Sequence, residues 1–475
     1  MKPTFFSTLS SNHDLLQPSE TLINTAVSVL KNQRSKSRWN QLRSLYPNGF
    51  TPSEFSNITL QLRNNPRLSL NFFNFTLTHK LCSHNLLSLC TIIHTLARSR
   101  LKPQTLALIE YAFRAPFWTN FDGLESKPLL LFESLVKTFR VCDSAPFVFD
   151  LLIKSCLNSS KIDDCIEIIC MLRSRGIYPN VSTCNVVVKS VSRIKGCEAG
   201  YEVFREVFGL DCEDNDNVGR LKVSPNAETY NVLMSSFYKD SLVDRVKEVW
   251  NEMVESNCEP NCYSYCLLMA AYNELGMSNE VEKLWEEMKC KGIKPDVIAY
   301  NTLIGGFCSI GEVKRAEEAY REMELSGIKS CSVTYEHLIT GYCRIGDLDS
   351  ANLLYIDACR KHFRPEGSVV DAVIRGLCDA NMVSKGLDFM RCATRHGDFV
   401  PGGKCYELLI KGFCKEGKME EALKLQKEMV GKGYVPNVEI YGAFIDGYMK
   451  LGNMELVGKL RHEMLESQMQ DEKKD

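Results

Sequence analysis

The chain has 475 residues, of which 44% are hydrophobic and 24% charged, and a net charge of −2 at pH 7. This is globular composition with enough apolar material for a large core, and it excludes disordered and collagen-like classes. No stretch approaches 18 uncharged apolar residues and the N-terminus has no compact apolar h-region, so neither a membrane span nor a secretory signal is expected.

Residues 1–50 hold six Lys or Arg, two acids (Asp14, Glu20) and eight Ser, a net of +4. Basic, Ser-rich and acid-poor composition reads as an organelle leader, although "ETLINTAVSVLKNQ" from Glu20 reads equally as a folded capping helix. Residues 51–145 read as a degenerate helical region. Within it, "HNLLSLCTIIHTLARSRLKPQTLALIEYAFRA" from His84 has the pattern of a helical hairpin, and "LLLFESLVKTFRVCDSA" from Leu129 that of an extra helix.

From Pro146 onward one pattern returns. "GGFCSIG" at Gly305, "TGYCRIG" at Thr340, "RGLCDAN" at Arg375, "KGFCKEG" at Lys411 and "DGYMKLG" at Asp446 place Cys308, Cys343, Cys378, Cys414 and Met449 at steps of 35, 35, 36 and 35. A fixed period in this range marks a chain built by stacking one supersecondary unit. The units start at Pro146, Val181, Ala227, Cys262, Val297, Ser332, Gly367, Gly403 and Val438. The long step before Ala227 carries the acidic insertion "GLDCEDNDNVGRLKV" from Gly209 to Val223. It lacks the terminal Glu of a calcium loop and reads as a solvated loop.

Each unit contains two helical patterns split by a Gly-containing turn. In the fifth, Tyr300, Leu303, Ile304 and Phe307 recur at i, i+3, i+4 and i+7, and Val313, Ala316, Ala319, Tyr320 and Met323 repeat the pattern in the second segment. Gly292, Gly327, Gly397 and Gly433 suit left-handed helix ends, and prolines such as Pro260, Pro295 and Pro436 forbid continuation. The Asn or Asp after several of these prolines is a preferred N-cap for the next helix. Met253, Met288, Met323, Met429 and Met464 read as core. The registered cysteines would lie about 10 Å from their copies at helix packing distance, too far to bridge, so they also read as buried packing. One hairpin cannot bury both faces, but a row of them can. The expected fold is all-α: a right-handed solenoid of nine 35-residue helix-turn-helix repeats over residues 146–475, with a degenerate helical N-terminal cap. The last repeat runs into the polar "QMQDEKKD" after Ser467.

"VIAYNTLIGGFCSIGEVKRAEEAYREMELSGIKS" and "CYELLIKGFCKEGKMEEALKLQKEMVGKGYVPN" closely resemble the pentatricopeptide repeat, of the plain type found in plant members. The 34-residue tetratricopeptide repeat is the nearest alternative, but its Trp-Leu-Gly-Tyr pattern is absent. The resemblance implies single-stranded RNA binding in an organelle, one base per repeat, read by the fifth and last residues of each unit. Those residues are Asp150 with Asn180, Asn185 with Asn226, Asn231 with Asn261, Cys266 with Asp296, and Asn301 with Cys331. They continue as Glu336 with Glu366, Asp371 with Gly402, Glu407 with Asn437, and Gly442 in the final unit. The Asn-Asn pairs match the family code and imply pyrimidines, and Asn301 leans the same way. Ile298 and Val333 at the second place suit a base sandwich, whereas Glu228 and Glu439 do not. Carboxylates at Glu336, Glu366, Asp371 and Glu407 oppose a phosphate chain electrostatically, so the C-terminal units look unfit for RNA and open to a protein partner.

Net charge offers no general attraction for RNA, so the arrangement of cations has to supply it. Arg193, Lys239, Arg344, Lys415 and Lys450 stand at the thirteenth place, with Lys154, Lys189, Arg375 and Lys411 one turn earlier. They form a candidate phosphate track, or else complement helix C-terminal dipoles.

Enzymatic motifs are absent: there is no Gly-rich phosphate loop, no nucleophile elbow and no deaminase signature, so neither catalysis nor a cofactor is expected. Cys258, Cys262 and Cys266, spaced by four, are the one candidate metal cluster, but they lack the Cys-x-x-Cys pairs of zinc sites and no metal is assigned. The expectation is a monomeric, non-catalytic RNA-binding protein of the mitochondrion, with the chloroplast as alternative. It would bind a short pyrimidine-containing site and act in transcript processing, stability, splicing or translation. The competing expectation is a protein-interaction scaffold using the concave face.

Overall fold

The repeat Val297–Leu325 shows why each unit folds as a hairpin. Asp296 is extended and its Oδ1 accepts the Ala299 N–H at 2.9 Å, which caps the helix Val297–Ser309. Tyr300, Leu303, Ile304 and Phe307 are buried on one face of that helix. A turn through Gly311, at φ +82°, reverses the chain into Val313–Leu325, which buries Val313, Ala316, Ala319 and Met323. Gly327 at φ +75° then ends the second helix in the left-handed region that glycine tolerates.

A computed structural model describes residues 17–32, 39–115, 126–210, 223–396 and 399–471. The acidic insertion falls mostly outside these residues, as do Gly397 and the first sixteen residues of the leader reading. The architecture is an α-solenoid of helical repeats, and among the described residues the β structure consists of an isolated bridge between Phe50 and Cys82. The chain divides into two compact halves, Met1–Ser236 and Phe237–Asp475, with the boundary inside the helix Ala227–Lys239.

In the first half, the helix Gln17–Asn32 buries Ile23, Ala26, Val27 and Leu30 and packs on Pro52–Gln61. Pro52–Gln61 and Pro66–Thr78 form a hairpin that periodicity alone did not single out. Leu86–Arg98 with Lys102–Arg114, and then Lys127–Thr138, occupy the stretches read as a degenerate hairpin and an extra helix. Buried His94 joins two of these elements. Its Nε2–H donates to the Leu135 carbonyl at 3.1 Å, which leaves Nδ1 to accept from the Ser144 hydroxyl at 2.6 Å. Burial pushes its pKa down to about 4. The first helices Phe147–Asn158 and Val181–Lys195 follow, with partners Ile162–Ser174 and Cys197–Phe208.

In the second half, the first helices Cys262–Glu274, Val297–Ser309, Ser332–Arg344, Gly367–Asp379, Gly403–Lys415 and Val438–Lys450 pack on one another in succession, each with its own second helix alongside. At two repeat boundaries the recurring cysteine and glycine form one contact. A Cβ on Gly341 would lie 2.7 Å from Cys308 Sγ, and one on Gly412 3.2 Å from Cys378 Sγ, so the thiol of one repeat fills the space beside the glycine of the next. The fourth-place tyrosines are fully buried, yet their hydroxyls reach an acid on the second helix. Tyr265 donates to Glu287, Tyr335 to Asp357 and Tyr406 to Glu428, each at 2.9 Å. Trp250 and Trp285 meet Tyr265 and Tyr300 edge to face at 5.0 and 4.9 Å, tying each hairpin to the next. The final helix, Met454–Asp471, continues into the stretch read as a polar tail, because no Gly-Pro stop interrupts it.

Candidate nucleic-acid interface

The fifth residue of each repeat lies one turn into the first helix, at the junction with the start of the following repeat. Asp150, Asn185, Cys266, Asn301 and Glu407 are buried there, Asn185 being only 2% exposed, and Asn231 is buried in the first half. The last residues, Asn180, Asn226, Asn261, Asp296 and Asn437, are exposed, and Cys331 is half-buried. The junctions at Asp150, Asn185, Cys266 and Glu407 therefore have a buried polar floor and an accessible polar rim, whereas Glu336 and Asp371 are half-buried.

The two residues meet directly in most repeats. Asp150 accepts the Asn180 backbone N–H at 2.9 Å and its amide Nδ2 at 2.7 Å. Burial raises the Asp150 pKa, against hydrogen bonds from Thr183 and Asn180 and the charge of Lys154. Asn185 Nδ2 donates to Asn226 Oδ1 at 3.3 Å, and Asn301 Nδ2 to Cys331 Sγ at 3.3 Å. Burial would raise the Cys331 thiol, but donors from Asn301 and Thr334 outweigh it and the net shift is downward. Asn231 belongs to the first half and Asn261 to the second. Asn226, Asn261, Asp296 and Asn437 also cap the next helix through Oδ1, so capping uses the oxygen and leaves each Asn amide NH2 directed elsewhere.

Cys266 and Asp296 come together with Cys262, their donor atoms all within 4.8 Å of one another, whereas Cys258 does not join them. Three donors are one short of a closed zinc set, and Asp296 Oδ1 already accepts the Ala299 N–H.

The C-terminal junctions differ. Glu336 Oε1 accepts the Glu366 N–H at 3.1 Å, and Asp371 Oδ1 accepts the Cys405 thiol at 2.9 Å. Glu407 holds Lys404 and Lys411, each at 2.9 Å, and Asn437 Nδ2 at 3.1 Å; Lys411 also pairs with Glu439. Burial alone would raise Glu407, but these partners hold its carboxyl at about 2. This carboxylate is thus neutralised within the chain, which weakens the repulsion expected of it.

Among the second-place residues, Tyr263, Ile298 and Val333 are 46%, 56% and 42% exposed in three successive repeats, an apolar series beside the polar junctions. Of the candidate phosphate contacts, Lys154, Lys189, Arg193, Lys239, Arg375, Lys415 and Lys450 are exposed and make no ion pair among the described residues. Arg344 is exposed but donates to the Ser309 carbonyl, and Lys411 is half-buried in the ion pairs above. Sequence reasoning missed Thr183, Thr229 and Thr334, which touch the fifth residue of the preceding repeat, and also Tyr263 and Lys404. A Thr at the third place of the unit following an Asn or Asp at the fifth was the available signal.

The pentatricopeptide repeat-containing protein At2g15980 of Arabidopsis thaliana is 54% identical over 423 residues, covering 88% of this chain and 84% of that protein. The chain belongs to the pentatricopeptide repeat family. The family's repeat models match residues 225–274, 263–293, 291–324, 333–363, 401–439 and 439–469. The Arabidopsis thaliana pentatricopeptide repeat-containing protein At1g11710, mitochondrial, is 24% identical over 225 residues, 47% of this chain and 31% of that protein. Among solved structures, maize PPR10 in complex with an 18-nt psaJ RNA element is similar at 17% identity and a TM-score of 0.42, covering 94% of this chain and 74% of that one.

Proposed function

We propose that this pentatricopeptide repeat protein, of the plain type, binds single-stranded RNA as a monomer and reads a short pyrimidine-containing site, one base per repeat. The repeat tract is residues 146–475 and the helices of 51–145 cap it. The observation that carries the reading is the junction of a buried amide, a half-buried polar rim and exposed apolar neighbours at Asn301, Cys331, Ile298 and Val333. Such a junction can hold a base between apolar faces while N–H groups meet its edge. The residues proposed for readout are Asp150, Asn180, Asn185, Asn226, Asn231, Asn261, Cys266, Asp296 and Asn301. The exposed cations from Lys154 to Lys239, with Arg375, Lys415 and Lys450, supply the phosphate contacts, and Arg344, bonded to the Ser309 carbonyl, and Lys411, held by Glu407 and Glu439, contribute only weakly. The protein acts without catalysis of its own in mitochondrial transcript processing, stability, splicing or translation, directed there by the basic N-terminal segment.

Selection of short RNAs by the purified full chain at two salt concentrations tests this. Enrichment of a pyrimidine-containing motif, with affinity that falls as salt rises, is the expected result. Absence of enrichment overturns it in favour of a protein-interaction scaffold, the reading favoured by the carboxylates Glu336, Glu366 and Asp371. A stoichiometric protein partner recovered from organelle extract after nuclease treatment would establish that alternative.

A further inference from the structure

The buried amides that meet a base have two possible orientations, one presenting oxygen and the other N–H, and these read opposite base edges. Something must choose between them. At the Asn301 junction the chooser is visible. Thr334, the third residue of the next repeat, is fully buried, and its hydroxyl accepts the Cys331 backbone N–H at 3.1 Å. With that lone pair engaged, its single proton goes to Asn301 Oδ1 at 2.7 Å, the other neighbour being the weakly accepting Cys331 sulfur at 3.6 Å. The amide oxygen is thereby held inward. Nδ2 faces the rim, with one N–H on Cys331 and the second left for a ligand.

The same construction recurs in the first half. Thr229 is fully buried, accepts the Asn226 N–H at 3.1 Å and lies 2.7 Å from Asn185 Oδ1. Asn226 Oδ1, at 2.9 Å from the same hydroxyl, already accepts the Thr229 N–H at 3.0 Å. After Cys266, Glu336 and Glu407 the corresponding residues are Ala299, Val369 and Ile440, which carry no hydroxyl, whereas Thr183 follows Asp150 and Ser264 follows Asn231.

We propose that the third-place threonine of the following repeat is a specificity-determining positioning residue. Thr229 and Thr334 lock Asn185 and Asn301 so that only N–H donors face the RNA, and a base that presents an acceptor at that point, such as the O2 of a pyrimidine, is selected over one that presents a donor there, such as the N2 amine of guanine. The inference rests on the RNA-reading function proposed above and names which of its repeats discriminate.

The test is the base-preference profile of the full chain on a randomised RNA pool, with Asn301→Ala marking the nucleotide read by that repeat. At this position the unaltered protein is expected to prefer pyrimidine by about tenfold, the scale of one well-placed hydrogen-bonded base contact. Thr334→Val removes the hydroxyl at nearly constant volume. It should flatten preference at that one nucleotide to within about twofold while the other positions keep theirs. Thr334→Ser restores the donor and should restore the preference, an outcome that a packing role for the methyl group would not produce. Thr229→Val should flatten a different single position. If circular dichroism shows a valine variant to be unfolded, Thr334→Cys replaces it and should fall between Ser and the Asn301→Ala profile. A profile unchanged by folded Thr334→Val or Thr334→Cys overturns the inference and leaves RNA reading intact, whereas a flat profile in the unaltered protein overturns both.

Discussion

The Asn185 and Glu407 junctions share a frame and differ in what fills it. In both, the fifth side chain is buried, at 2% and 5% exposure, and an exposed Asn at the end of the repeat caps the next helix at 3.0 Å. At Asn185 a threonine hydroxyl and an asparagine rim complete a neutral, dipolar arrangement. At Glu407 the third-place residue is Ile440, which carries no donor, and the carboxylate is satisfied by Lys404, Lys411 and Asn437. Helix packing is indifferent to this exchange because the apolar face and the caps are the same. A repeat protein can therefore change its surface chemistry one junction at a time while its scaffold stays constant.

Acid should separate the two regions most strongly. His94, in the N-terminal cap, has a pKa of about 4 against an ordinary value of 6.5. A lowered folded pKa contributes stability that is present above pH 6.5 and lost as pH falls from there to about 4, up to about 3 kcal/mol for such a shift. Glu407, held at about 2, keeps its ion pairs across that whole window. Hydrogen exchange at pH 7 and pH 4.5, corrected for intrinsic rates, should show Leu86–Arg98 losing protection while Gly403–Lys415 does not. His84, which burial also lowers to about 4 and which bonds Ser88 of the same helix, titrates in the same window, so His84→Gln combined with His94→Gln should abolish the difference, and equal loss in both segments would break the distinction.

Transplanting the neutral junction comes next in size. Glu407→Asn with Ile440→Thr rebuilds at the eighth repeat what stands at Asn185. The double variant should add one base-discriminating position to the selected RNA motif, with a preference of about tenfold. If no position is added, the difference between the two regions lies deeper than these two side chains.

The smallest effect concerns the cations. Arg193 is exposed and makes no ion pair among the described residues, whereas Lys411 is engaged by Glu407 and Glu439. Arg193→Gln should weaken RNA binding about threefold for every sequence and reduce the salt slope by about one, while Lys411→Gln should change affinity by less than about twofold. Filter binding over a salt series distinguishes the two, and equal losses would mean that RNA releases Lys411 from its carboxylates.

Much of this protein was legible in one dimension. The 35-residue period, the two apolar faces, the caps at Asp296 and Asn437 and the glycine stops at Gly292, Gly327 and Gly433 are local signals. They depend on side chains within a turn or two of one another, so composition and spacing expose them. The registered cysteines were legible as packing residues, but not their reason, because Cys308 meets Gly341 across a repeat boundary. The junction chemistry was less legible still. Thr229 reaches Asn185 across 44 residues and Thr334 reaches Asn301 across 33, so neither bond has a signature within its own segment. Lys411 illustrates the converse: a cation well spaced for a phosphate track lies instead between two carboxylates, one of them 28 residues away. Sequence by itself determined the hairpin, its period and its capping, because these are properties of a helix and its ends. Only the stacking of one hairpin on the next decided which polar groups are spent inside the protein and which remain to meet a ligand, because those hydrogen bonds form between repeats.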